Sequence, residues 1–421
     1  MRIEIICTGD EVLTGKIVNS NFSYMSQKLE DAGLDVVWGT TVGDDRESLL
    51  QAFRLAAGRA DAVIVNGGLG PTVDDLSREI AAQAAGCELV LSEEWLARME
   101  AFFQRRSRVM PPNNRKQAML PASAEIIDNP IGTACGFALD IGPARFFFTP
   151  GVPRELKRML EEQVIPRLLA RSGLQSTIHL KRFHSYGLGE SHVDALLAGV
   201  ETLVPDGGVK LGFRAHYPQL ETKLTVRGRD RDDVRAKLAP IEVEVRKRLG
   251  NFILAEDDQT LEGVVLAELA SRQATLSVVE SFTGGQIAAR VAHLPGAEKA
   301  FRRGIVARDL SEIAAAVGLD ATPTEITRET AEAVARAARR TTGATHVLSV
   351  LVHLDDGPDR IEFGGTICLA IATEAEGASR RSRVVGGREW VRLGAVEMAL
   401  DCLRRYLQGL PVVERIDFEK T

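Results

Sequence analysis

The run Ala62-Val63-Ile64-Val65-Asn66-Gly67-Gly68-Leu69-Gly70-Pro71-Thr72-Val73-Asp74-Asp75 decides the reading of this chain. An apolar stretch, a glycine-rich turn and the helix-like segment Leu76 to Ala85 spell strand, turn and helix start, with two carboxylates at the start. Glycines let backbone N–H groups approach an anion, a helix N-terminus adds partial positive charge, and an Asp can hold the divalent cation such anions bring. The turn is not a dinucleotide-binding G-x-G-x-x-G, and no G-x-x-x-x-G-K-[ST] phosphate loop occurs in the chain. What remains is a helix-end anion site rimmed by carboxylate. Neighbouring helical residues point about 100° apart, so Asp74 and Asp75 do not share one ligand equally. Both belong to the expected catalytic neighbourhood, their individual roles left open.

Working outward, Ile3 to Thr8 reads as a strand ending in Thr8-Gly9-Asp10-Glu11, and Asn19 and Ser20 open a helix closed by Gly33. Asp35 to Thr41 is the next strand, and Asp44 with Glu47 resembles a capping box before a helix to Ala57. Strands alternating with helices at this pace predict a parallel sheet covered on both faces, with the site at the carboxyl ends of its strands. The loops converging there are Thr8 to Glu11, the glycine turn and Phe148-Thr149-Pro150-Gly151-Val152-Pro153. The polar cluster Asn113-Asn114-Arg115-Lys116-Gln117 offers side chains for phosphate or ribose oxygens, or simply a solvated helix start.

From about Ser172 the elements shorten into a small α+β unit carrying Tyr186-Gly187-Leu188-Gly189-Glu190-Ser191, read as a tight turn whose Ser191 caps the next helix. Ala255-Glu256-Asp257-Asp258 reads as a polar linker to a second α/β domain that closes with a helix from Arg388 to Leu407. A chain of 421 residues exceeds one ordinary core, and three domains are expected. The net charge of -6 gives no whole-chain reason to bind nucleic acid. No apolar segment approaches the ~20 residues that span a bilayer, so no membrane partner is expected. Met1 to Ile6 reads as a first strand rather than a signal peptide, which makes the expected location cytoplasmic. Cys7, Cys87, Cys135, Cys368 and Cys402 are scattered without a C-x-x-C pair, and suggest neither a disulfide framework nor a zinc site.

Gly43-Asp44-Asp45, Gly67 to Thr72 with Asp74-Asp75, Asn113 to Ala118, Asn129-Pro130-Ile131-Gly132-Thr133-Ala134 and Pro150 to Pro153, in that order, resemble the CinA family (competence/damage-inducible protein CinA). The resemblance spans the chain. It implies an α/β fold in three parts: a molybdopterin-binding-like domain similar to MoaB and MogA with a parallel sheet (1–172), a small KH-like α+β domain (173–255) and an α/β amidase-like domain (256–410). A polar tail, 411–421, follows. It also implies a homodimer and a metal-dependent ADP-ribose pyrophosphatase acting on a small-molecule nucleotide in the first domain. For that chemistry Asp74 and Asp75 are the metal ligands or water-orienting base, Glu11 a second carboxylate and Lys116 a cation for phosphate. Substrate would be bound by Thr8, Gly9, Asn19, Asn21, Gly67, Gly68, Leu69, Gly70, Pro71, Thr72, Asn114, Gly151 and Pro153. The expected cofactor is a divalent metal of unspecified identity, with a monovalent cation as a second candidate.

In the last domain Glu280-Ser281-Phe282-Thr283-Gly284-Gly285 matches the family's amidase turn except at Phe282, which puts Ser281 at the nucleophile position and Thr283, Gly284 and Gly285 beside it. A gapless alignment places Arg308 and Ile313 where the family has a Tyr and a Lys that supply the base, and neither can accept a proton. The family's glycine-rich loop is replaced by the bulkier stretch Ser349 to Pro358. The expectation is therefore a pyrophosphatase joined to a nicotinamide mononucleotide deamidase-like domain that has lost its activity. The alternatives are a bifunctional enzyme, with His353 or His346 as replacement base, and a non-catalytic nucleotide- or pterin-binding protein.

Overall fold

Six consecutive buried residues form β1 (Ile3–Thr8) in the computed structural model, which describes residues 1–173, 177–358 and 362–419. Ile3, Ile5 and Cys7 enter one apolar cluster and Ile6 another, so the strand is covered on both faces, as the strands of a parallel sheet are. β2 (Val36–Val42) and β3 (Ala62–Asn66) flank it in parallel. Beyond them lie β4 (Glu125–Ile127), β5 (Gly136–Ile141) and β6 (Ala144–Thr149). The sheet order is β2-β1-β3-β6-β5-β4, with β6 parallel to β3 and the last two strands antiparallel. The sheet is thus parallel-rich, with an antiparallel edge.

Helices Arg46–Arg59 and Ser77–Ala85 cover one face through Phe53, Ala56, Ile80 and Ala81, while Met25, Leu29, Leu156 and Leu160 cover the other. At the centre the Phe148 ring stacks on Phe137 at 4.4 Å and meets Phe53 edge-on at 5.5 Å. All three rings are fully buried.

The chain falls into two compact units, Met1–His179 and Leu180–Thr421. A four-stranded sheet follows, of β7 (Thr177–Tyr186), most of which lies in the second unit, β8 (Val209–His216), β9 (Gln219–Gly228) and β10 (Ile253–Glu256), in the order β8-β9-β7-β10. Helices Glu190–Leu197 and Arg231–Leu249 pack on it through Val193, Leu197, Ile241 and Val245. Two local expectations change here. The segment read as a linker begins inside a strand, because β10 pairs antiparallel with β7. Ser191 is not the cap of its helix; the Gly189 N–H is instead met by Asp417 Oδ2 at 2.8 Å, from the far end of the chain.

The rest of the unit is built on β11 (Leu276–Glu280), β12 (Phe301–Val306), β13 (His346–Leu354), β14 (Gly364–Ala372) and β15 (Gly377–Val385), ordered β12-β11-β13-β14-β15. The first three are parallel and the last two antiparallel additions. Helix Arg388–Leu407 packs on one face and Arg328–Thr342 on the other. The segment read as a polar tail lies against this domain: Ile416 is buried and Glu419 accepts a hydrogen bond from Arg380 at 2.8 Å. Its last two residues lie outside the described residues. No helix among the described residues is long and apolar enough to cross a membrane.

Phe148→Ala removes the ring on which Phe53 and Phe137 both rest. It should lower the unfolding free energy of the first unit by about 3–5 kcal/mol in urea denaturation.

Candidate functional site

At the carboxyl end of β3 the chain turns through Gly67 at φ 113° and Gly68 at φ 67°. A Cβ on Gly67 would stand 2.6 Å from Thr8 Oγ1, and one on Gly68 2.3 Å from Ser77 Oγ, so neither position admits a side chain. The loop is then braced from both sides. The Asp75 carboxylate accepts hydrogen bonds from the Gly70 and Thr72 N–H groups, both at 2.8 Å, and from the Thr72 hydroxyl. From below, Arg78 donates to the carbonyls of Leu69 at 2.8 Å and Gly70 at 2.7 Å, and Ser77 Oγ donates to Gly67 O at 2.9 Å. Arg78 is only 1% exposed and its Nε has no partner. Burial pulls its pKa down, yet an arginine stays ionised in proteins, so positive charge lies directly under the turn.

Above the turn is a cavity of about 420 Å³, walled by Gly67 to Pro71, Thr8, Gly9 and Pro150 to Val152. Five carboxylates, Glu11, Asp44, Asp74, Asp75 and Glu155, face it. The buried Thr8 hydroxyl has no partner. Of the residues expected from sequence, Thr8, Gly9, Glu11, Gly67 to Pro71, Asp74, Asp75 and Gly151 converge here. The others do not line the cavity. Asn19 is occupied as a helix cap, accepting the Phe22 N–H at 3.0 Å. Asn21 is a strut, donating to Asn66 Oδ1 at 2.9 Å and to Gly151 O at 2.7 Å. Asn114 donates to Gln117 Oε1 at 2.8 Å, and Lys116 to Thr72 O at 2.9 Å. Thr72 stands on the exposed rim, and Pro153 begins the helix Pro153–Met159.

Asp44, Gln117, Thr133 and Glu155 line the cavity without having been singled out for it. The helix expected to start with an Asp44 cap is capped one residue later, by Asp45, which accepts the Ser48 N–H at 2.8 Å. That one-residue shift frees Asp44 to accept the Asp10 N–H at 3.2 Å. Burial raises its pKa, and the charges of Asp10, Glu11 and Asp74 add to the rise while the Asp10 N–H opposes it. The Gly43-Asp44-Asp45 motif was the available signal. Burial likewise raises the Glu155 carboxyl, against a hydrogen bond from Asn129. Asp74 is exposed, and hydrogen bonding from Thr72 and its own backbone, with the Lys116 charge, holds it below the usual carboxylate range.

Of the two residues expected to hold a metal, Asp75 has both oxygens engaged in hydrogen bonds to the loop, while Asp74 is exposed. Among the described residues no group of three or more His, Cys, Asp or Glu side chains is placed to hold a metal ion.

The second candidate centre lies at the carboxyl end of β11. Ser281 is buried; its N–H donates to Val350 O at 2.9 Å, and its Oγ accepts the Val352 N–H at 2.9 Å. Phe282 follows at φ 66°, a left-handed conformation that costs a bulky side chain about 1–3 kcal/mol. The buried Glu280 carboxylate holds the turn together. It accepts the Thr283 hydroxyl at 2.6 Å, the Ile287 N–H at 3.1 Å and the Ala288 N–H at 2.9 Å. Gly284 and Gly285 complete the turn, both at positive φ.

Arg308 is exposed and follows β12, whose end is tied to this turn by the Ala307 N–H donating to Glu280 O at 3.2 Å. Ile313 is a different case. It is fully buried among Val279, Val317, Val334 and Leu351, where it serves as a packing residue. The bulky residues that replace a glycine-rich loop continue β13 as a regular strand, paired to β14 as far as Leu354 and Gly365. His346 pairs with Leu276 at the opposite end of β11. Five residues of strand, about 16 Å, separate it from Ser281. His353 directly follows Val352.

The family pattern described as a probable molybdopterin binding domain matches residues 4–170, that of the damage-inducible protein CinA KH domain residues 180–255, and that of the CinA C-terminal domain residues 258–407. A CinA-like protein of Shewanella sediminis is 38% identical over 420 residues, covering 98% of this chain and 97% of the relative. This chain belongs to the CinA family. Another full-length relative in it, from Shewanella oneidensis, is named nicotinamide-nucleotide amidohydrolase PncC and is 36% identical over 425 residues, covering 100% of this chain and 98% of that one. The crystal structure of a CinA protein of unknown function from Thermoplasma acidophilum is 32% identical, covering 41% of this chain and 96% of that one with a TM-score of 0.36.

The relative named for amide hydrolysis corrects the expectation of an ADP-ribose pyrophosphatase beside an inactive amidase-like domain. The full-length CinA relative bears the amidase name, and the C-terminal domain is present here.

Asp75→Ala should destabilise the first unit by about 1–3 kcal/mol, since it strips two loop amides of their acceptor. Asp74→Ala should stay within about 0.5 kcal/mol of the parent. Urea denaturation of both variants separates the loop brace from the exposed neighbour.

Proposed function

We propose that this chain is a hydrolase of the carboxamide of a nicotinamide nucleotide, with Ser281 as the nucleophile. The observation that carries the proposal is the Ser281 turn itself. Its Oγ is fixed by the Val352 N–H at the carboxyl end of a central parallel strand, where ligands bind in α/β sheets, while the buried Glu280 carboxylate sets the turn. The 36% identical relative with an amidohydrolase name supports the choice of bond. Ser281 Oγ bonds to the carboxamide carbon, the amide nitrogen leaves as ammonia after taking up a proton, and water releases the carboxylate from the acyl-enzyme.

A serine hydroxyl needs a base, and we assign that role to His353. It stands at the Ser281 end of β13, whereas His346 is at the other end and Arg308 cannot accept a proton.

A second reading applies to the first unit and rests on the cavity over the glycine turn. An unpartnered buried hydroxyl and a glycine turn set over a buried guanidinium favour a small polar ligand of the nucleotide or pterin class, bound without turnover. The description of the matching family pattern, a probable molybdopterin binding domain, supports the same class.

Incubation with nicotinamide mononucleotide should release ammonia. Ser281→Ala should lower kcat at least about a hundredfold, and His353→Ala by about a hundredfold. Arg308→Tyr, at an exposed position, should raise the rate by restoring a hydroxyl beside the turn. No ammonia above background from the parent protein would overturn the assignment.

A further inference from the structure

The helix that follows the Ser281 turn, Gln286–Ala292, is held at both ends by side chains from elsewhere. Glu280 receives its first amides. Further along, Arg290 donates to Glu262 Oε2 and to Glu397 Oε2, both at 2.7 Å, and Gln286 Oε1 accepts from Arg392 at 2.6 Å. Glu397 and Arg392 lie on helix Arg388–Leu407. Glu397 is 2% exposed, and its second oxygen accepts a hydrogen bond from the side chain of Gln219, the first residue of β9 after the β8–β9 turn of the KH-like domain.

The same turn makes a second contact. The Tyr217 ring stacks on Trp390 with centroids 3.5 Å apart, and its hydroxyl donates to Trp390 O at 3.2 Å. A Cβ on Gly394 would stand 2.7 Å from that hydroxyl, so the helix is shaped to receive the tyrosine. All these residues belong to one compact unit.

A buried carboxylate needs partners for both oxygens. Arg290 satisfies one, and a partner for the other from within the C-terminal domain would have left that domain self-sufficient. The second partner comes instead from the KH-like hairpin. We propose that this hairpin turn is a working part of the Ser281 site, with Glu397 as a positioning residue. Gln219 and Tyr217 fix helix Arg388–Leu407, Glu397 passes that placement to Arg290, and Arg290 sets the helix whose start, with Glu280, frames Ser281. The kinetic consequence rests on the amidase reading above; the mechanical one does not.

The test uses the full chain, with Gln219→Ala and Tyr217→Ala on the hairpin and Glu397→Gln at the joint. Val245→Ala, in the core of the KH-like domain, serves as a control that lowers stability without touching the chain of contacts. Amide hydrogen exchange over residues 286–292 should accelerate about tenfold in the three variants and stay at the parental rate in the control. For ammonia release from nicotinamide mononucleotide, kcat should fall about five- to tenfold with KM within about twofold, again sparing the control. Parental exchange in Gln219→Ala and Tyr217→Ala, or equal acceleration in Val245→Ala, would overturn the proposal. If the parent protein releases no ammonia, the amidase reading fails and the exchange result still decides the coupling.

Discussion

Both candidate centres depend on one device, a buried charged side chain that holds a glycine-rich turn which cannot hold itself. Glycine loses more conformational freedom on folding than any other residue, so a turn containing Gly67, Gly68 and Gly70 must be fixed from outside. Asp75 binds its N–H groups and Arg78 its carbonyls. At the second centre a single carboxylate, Glu280, gathers the Thr283 hydroxyl and two helix amides. Hydrogen bonds to a charged group contribute about 1.5–3 kcal/mol each. Bracing of that order is comparable to the cost of ordering a few loop residues.

The same device explains why residue type alone does not separate a ligand-binding side chain from a scaffold one. An Asp beside a glycine turn has the chemistry of a metal ligand and also that of a loop brace, and only the position of its oxygens tells the two apart. Asp75 has both oxygens on the loop, while Asp74, one residue earlier, has the exposed carboxylate. Asn19, Asn21 and Asn114 likewise carry polar groups suited to a nucleotide, but they cap a helix, strut two loops and pair with Gln117. Polar residues near a site are often its scaffold.

The strand-turn-helix order of the first domain, the three-part architecture and the loops that meet at the glycine turn were legible in the sequence, because each rests on local periodicity and turn chemistry. What was not legible depended on long-range partners. The cap at Gly189 comes from Asp417, more than two hundred residues away, and no local pattern distinguishes it from Ser191. The strand Ile253–Glu256 looks like a linker until β7 supplies its hydrogen bonds. Asp44 was misread by one residue of helix register, within the ordinary uncertainty of helix ends.

Ile313 carries the sharper lesson for the amidase centre. An aligned position transfers a chemical role only if its side chain points into the same space. Ile313 packs into the core beneath the sheet, as an apolar side chain at that position would, and it offers no proton acceptor to Ser281. Arg308 differs because it is exposed and sits beside the turn. Its guanidinium cannot take a serine proton. Under the amidase proposal Ser281 requires a proton acceptor, and the strand whose Val352 amide holds Ser281 Oγ presents His353 as its next residue.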